Sequence, residues 1–222
     1  MRLDYLETLF LKETMQPSPI QWCEEDYVHS PYIAEYWNTW TNLAYVIAGA
    51  LCYGRSQNPH IRLNVMSVFM MLTGVASAAF HGTLLWWTQK FDEAALSLMM
   101  ISAMHTAYRL SWAEWWAHSL VVCCFLYKYD TLVCEIHTVI TVLVLWHHLA
   151  KLYRAYPTLA NSCLMCIAFS VAGFSVWLAD WFFCEYVQPY HLHALWHIFT
   201  AVGLGLLWEI LYWEDRHRKK KY

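Results

Sequence analysis

The stretch HLHALWHIFT places His193 and His197 four residues apart, so on a helix the two imidazoles lie on one face about a turn from each other. Two imidazoles at that spacing can hold one zinc ion, and a catalytic zinc typically keeps three protein ligands and one open position for water. A second stretch, SAAFHGTLLWWTQKFDEAAL, carries His81, with Ser77 four residues before it on the same helical face and Asp92 shortly after it. Together these side chains hold what metal-assisted hydrolysis requires: three nitrogen ligands, a carboxylate to move a proton and a hydroxyl to meet a developing charge. Histidine alone discriminates poorly, because the chain has twelve and His105, His118, His137, His147 and His148 also lie in or near apolar runs. Ser77 also reads as a small packing residue, and Asp92 as a cap for the helix after it.

These groups need elements that bring them together, and the composition says what kind. Apolar residues make up 59% of the 222-residue chain and charged residues 14%, against about 25% in a soluble domain. With 14 Trp and 15 Tyr and a net charge of −3, the chain reads as an all-α membrane protein, and nothing in its charge points to nucleic acid. Apolar runs predict a bundle of seven transmembrane helices at 39–54, 63–86, 93–110, 113–128, 131–151, 160–183 and 193–213. Residues 1–38 form an extramembrane segment with no secretory leader pattern, and 214–222 a basic tail.

Lys and Arg set the orientation. A cytosolic C-terminus places Arg55, Arg62, Arg109, Lys151, Arg154, Arg216, Arg218 and Lys219 to Lys221 on one side, leaving Arg2, Lys12, Lys90 and Lys128 on the other. The N-terminus is then luminal or outside. His81, Asp92, His193 and His197 converge near that same leaflet. Ionisable groups are costly at membrane depth, which makes a functional role their default reading.

Glu24, Asp26 and Glu35 cluster just before the first run, as a solvated acidic loop or as oxygen ligands for calcium. Of the eight cysteines, Cys23 and Cys184 stand outside the runs on the luminal side, where an oxidising compartment permits a disulfide. Cys163 and Cys166 lie mid-run and read as packing. The ending KKKY reads equally as a dilysine retrieval signal or as the positive flank of the last helix.

Ser77, Phe80-His81, Thr83-Leu84, Gln89, Asp92-Glu93 and His193-Ala-Leu-Trp-His197 closely resemble the alkaline ceramidases, as do Trp22 to Tyr27 and Ser30 to Thr39. The resemblance implies a seven-helix intramembrane amidase that cleaves ceramide to a sphingoid base and a fatty acid. It implies zinc on His81, His193 and His197, with Ser77 and Asp92 catalytic. It further implies calcium on Gln21, Trp22 through its carbonyl, Glu24, Asp26 and Glu35, a Cys23–Cys184 disulfide, and residence in the endoplasmic reticulum or Golgi. Gln21 stands where the family usually has Asp and Asp26 where it has Asn, so the charge at that site is about kept. The chain before the last run is shorter than in the family, which bears on the size of a substrate tunnel. The substrate class follows from depth, since a ceramide or other N-acyl lipid holds its amide at the interface. Competing readings are a glycosylphosphatidylinositol-remodelling hydrolase and a heptahelical receptor of the progestin and adiponectin kind; no inverted repeat supports a transporter.

Overall fold

A computed structural model of the protein describes residues 15–55, 61–128 and 131–218, and among these every long element is helical. The short helix α1 (Tyr36–Thr41) and α2 (Leu43–Arg55) form a broken pair, followed by α3 (Ile61–Thr83), α4 (Trp86–Tyr108), α5 (Trp112–Lys128) and α6 (Leu132–Ala155). Then come α7 (Ala160–Phe182), a short α8 (Cys184–Val187) and the 27-residue α9 (Leu192–Arg218). The N-terminal residues Arg2 and Lys12 and the KKKY ending fall outside the described residues.

Among the described residues, four stretches are long and apolar enough to cross a membrane: Ile61–Thr83, Leu132–Ala155, Pro157–Phe182 and Leu192–His217. The other three long helices fall short for local reasons. α2 has 13 residues, α5 has 17, and α4 carries Lys90, Asp92 and Glu93 in its first turns. Large apolar side chains such as Leu51, Ile140 and Leu164 stay exposed on the outer faces, as lipid-facing residues do. This is a membrane protein by composition, helix length and surface.

Several boundaries differ from the sequence reading. The second run ends at Thr83, because Leu84 turns the chain through a left-handed conformation (φ 49°). α4 therefore begins at Trp86 rather than 93, and Asp92 lies in its second turn, too far in to cap it. α9 continues to Arg218, so residues 214–218 are helical rather than tail, and Glu214 is buried against His148 of α6 at 3.0 Å.

The core that fixes the helices gathers Leu63, Met66 and Met70 of α3, Met99 and Met100 of α4, Leu149 and Leu152 of α6, and Trp208 and Leu211 of α9. α3 packs on α2 and α4, and α9 packs on α7 and α2. Two glycines allow the α2–α3 approach. A Cβ on Gly49 would sit 2.7 Å from the Ser67 carbonyl oxygen, and one on Gly74 would sit 2.8 Å from that of Asn42. Close approach here holds the α1–α2 arm against the half of α3 that bears Ser77 and His81.

Candidate metal centre

His81 comes from the last turn of α3, and His193 and His197 come from the first turns of α9. Their ring centroids stand 4.8–5.0 Å apart, and each ring is at most 3% exposed. The three offer ligand nitrogens that all lie within 4.8 Å of one another, the one such group of His, Cys, Asp or Glu among the described residues. Ser77 and Asp92 line the same cavity of about 120 Å³ as the three histidines. The Ser77 hydroxyl sits beside the Asp92 carboxyl. The sequence-predicted set is thus brought together by the meeting of α3, α4 and α9.

Each imidazole is oriented differently. The Nδ1 of His81 lies 2.5 Å from Oε2 of Glu35, which is fully buried and also accepts a bond from Asn38 Nδ2. For His197, the Nδ1 is 3.0 Å from Thr41 Oγ1. Thr41 gives its own proton to the Trp37 carbonyl oxygen at 2.8 Å, so it accepts from His197. Both arrangements leave Nε2 as the free nitrogen. His193 has no hydrogen-bond partner on Nδ1; instead its ring stacks on Trp22 at 3.9 Å and 30°. Its backbone N–H donates to Oδ1 of Asp180, and the N–H of Cys23 donates to Oδ2, both at 3.2 Å.

The N-terminal segment closes the site. Ser18 N–H donates to the Leu84 carbonyl and Trp86 N–H to that of Gln16, an isolated antiparallel bridge between Pro17 and Leu85 across the α3–α4 turn. Further on, Ala34 and Glu35 donate to the carbonyls of Gly82 and His81. Cys23 and Cys184 form a disulfide, which ties this segment to α8.

The acidic cluster is less uniform than its spacing suggests. Glu24 is buried and accepts the N–H groups of Trp37 and Asn38 at 2.7 and 2.8 Å, one on each carboxylate oxygen, so it caps α1. Gln21 and Asp26 are exposed. Partial burial, followed by the charge of Glu35, pushes the Asp26 carboxyl above its ordinary range. Oε1 of Glu35 is buried and without a donor.

Sequence reasoning missed Glu35 as the orienter of His81, Thr41 as that of His197, and Asp180 altogether. No periodicity marks Glu35 or Thr41. Asp180 did carry a signal, as a lone carboxylate in the apolar run SVWLADWFF. Also unforeseen is a satisfied network beside Asp92. Gln89 Nε2 and Thr131 Oγ1 both donate to Oε1 of Glu93, and Lys90 Nζ donates to Oε2.

Comparison with known proteins points to one family. The family profile described as Ceramidase matches residues 14–222. The chain is 28% identical to the alkaline ceramidase of Drosophila melanogaster, over 84% of this chain and 73% of that protein. It is also 28% identical to alkaline ceramidase 3 of Mus musculus, over 84% and 79%. To the alkaline ceramidase of Arabidopsis thaliana it is 23% identical, over 83% and 78%.

Proposed function

The chain belongs to the ceramidase family, as a hydrolase of the ceramide amide bond, and we propose that it performs this reaction with a zinc ion held by His81, His193 and His197. One observation carries the proposal: three buried imidazoles, two of them with Nδ1 already engaged, share a single cavity with Ser77 and Asp92. Borderline nitrogen donors without a thiol suit zinc, and three ligands leave a position open. Bound there, zinc would make water nucleophilic near neutral pH and polarise a carbonyl oxygen.

The residues divide the remaining work. Asp92 accepts the proton of the attacking water and delivers it to the nitrogen of the leaving amine, so the C–N bond breaks with a neutral leaving group. The Ser77 hydroxyl donates a hydrogen bond to the amide oxygen as it gains charge. Ser77 is a poor candidate for a covalent nucleophile, because the imidazoles near it are committed as ligands and cannot serve as its base. Glu35 and Thr41 fix the tautomers of His81 and His197. A second cavity of about 60 Å³, lined by Met99, Leu145, Leu149 and Leu204, adjoins the first and shares Tyr45, Phe174 and Trp196 with it. Its apolar walls suit a hydrocarbon chain.

In this reading seven helices cross the bilayer, with α1 lengthening the short α2 on the luminal side. The N-terminus is luminal, the C-terminus cytosolic, and the compartment the endoplasmic reticulum or Golgi. A calcium ion on the N-terminal segment would meet the donorless oxygen of Glu35 and relieve the repulsion between Glu35 and Asp26. Gln21, the Trp22 carbonyl and Glu24 complete the expected set. Glu24 can take part only while also capping α1, through its remaining lone pairs.

The test is release of sphingoid base from ceramides by the purified protein, beside His197→Ala, with zinc counted per chain. The expected result is release by the wild type only, with one zinc. Zinc-loaded wild type that releases nothing from a panel of acyl-chain lengths would sink the ceramidase reading.

A further inference from the structure

His193 stands apart from the other two candidate ligands. His81 and His197 are each fixed through Nδ1, by Glu35 and Thr41, whereas Nδ1 of His193 has no partner. Ring stacking on Trp22 limits tilt but leaves sliding and rotation free. Among the described residues, the side chain that holds this ligand through its backbone N–H is that of Asp180. Its carboxylate, 3% exposed near the end of α7, takes the N–H of His193 on one oxygen and that of Cys23 on the other.

Local geometry explains why the anchor comes from another helix. His193 is the second residue of α9, where an N-cap side chain normally accepts the free N–H. The preceding His191 is in the left-handed conformation (φ 48°), and no bond from its ring to this N–H occurs. Asp180 replaces the cap and brings a negative charge to the positive end of a 27-residue helix.

We propose that Asp180 is the positioning residue of His193, holding that ligand, the start of α9 and the disulfide-bearing N-terminal segment in one register. The inference rests on the zinc reading above. It has a second, electrostatic part. Three neutral imidazoles would leave a bound zinc its full 2+ charge in a poorly solvated site, and the Asp180 carboxylate would offset part of it alongside Glu35 and Asp92. Asn at this position keeps the shape, but it loses the charge and turns an NH₂ group towards one of the two N–H donors.

The experiment uses the full-length protein in detergent, stripped of metal. Zinc affinity is measured by competition with a chromophoric chelator, and ligand geometry by the visible absorption of the cobalt(II) form. Asp180→Ala and Asp180→Asn are compared with wild type and with Trp208→Phe, which removes the bond from Trp208 Nε1 to the Leu63 carbonyl at the far end of the bundle. The expected result is a zinc Kd raised about 10–100-fold in Asp180→Ala, a usual effect of losing an outer-sphere partner. Displaced cobalt bands are expected in Asp180→Asn. Trp208→Phe lowers the thermal midpoint and changes neither. Zinc affinity and cobalt spectra equal to wild type in the Asp180 variants overturn the proposal, and if the Ala variant fails to fold the Asn variant decides. Wild type that takes up neither metal overturns the zinc reading itself.

Discussion

At the scale of single residues, the site shows carboxylates whose tasks are set by what surrounds them. Glu24, Asp26 and Glu35 read as one acidic cluster in the sequence, apart from Asp92. Glu35 is sealed beneath His81, with one oxygen on that imidazole and on Asn38 and the other without a donor. Glu24 has both oxygens on backbone N–H groups and serves α1 first. Asp92 lines the cavity beside Ser77 and faces whatever enters it. Glu35→Gln keeps the volume but replaces a charged acceptor by a neutral one. The expected outcome is about a 10–100-fold loss of ceramide turnover and of zinc affinity together, measured by steady-state assay and chelator competition. Loss of turnover with unchanged zinc affinity would count against the orienting role.

Among elements, the decisive contact is the close approach of α2 to α3, because it sets the α1–α2 arm against the half of α3 that ends in His81. Gly74 lies one helical turn before Ser77, with the Asn42 carbonyl oxygen and the Val46 side chain 2.8 Å from where a Cβ would be. Gly74→Leu must push the two helices apart. Overpacking of this kind costs about 1–3 kcal/mol or more, so the thermal midpoint in detergent should fall. Turnover should fall further than stability explains, since Thr41 and His197 separate with the helices. A variant as stable and active as wild type would show the approach to be incidental. The broken joint at Asn42, between α1 and α2, serves the same end by letting Thr41 reach His197 while α2 continues along α3.

For the whole molecule, the end that carries the three histidines is the constrained one. The N-terminal segment is bridged to the α3–α4 turn, bonded to Asp180 and joined by the disulfide to α8, so three separate ties converge over one cavity. The Cys23–Cys184 bridge spans 161 residues of sequence. Removing such a bridge costs about 2–5 kcal/mol. Cys184→Ser should therefore lower the thermal midpoint, and it should weaken zinc binding because Trp22 stacks on His193 and Cys23 shares the Asp180 carboxylate with it. A drop in midpoint with zinc affinity intact would confine the disulfide to stability. The opposite end is joined by ion pairs, with Arg109 and Asp215 at 2.6 Å and Arg55 and Glu209 at 3.2 Å linking α4 and α2 to α9. That end lies far from the chemistry.

Much of this was legible in the residues themselves. A chain too apolar for water must satisfy its own backbone within the bilayer, and apolar runs of about helix-spanning length made that backbone helical. The i, i+4 spacing of His193 and His197, and of Ser77 and His81, put each pair on one face before any packing was known, because helical periodicity is local. The run order then put both pairs at the same end of the bundle. What only the tertiary structure decided is which neighbours orient those side chains. Glu35, Thr41 and Asp180 reach their histidines across 46, 156 and 13 residues of sequence. No local period encodes such contacts, since they arise where α1, α7 and the N-terminal strap close over α3 and α9. The start of α4 was misplaced for a related reason. Leu84 adopts a left-handed turn that an apolar residue disfavours on its own, and the bonds from Ser18 and Trp86 on either side hold it there.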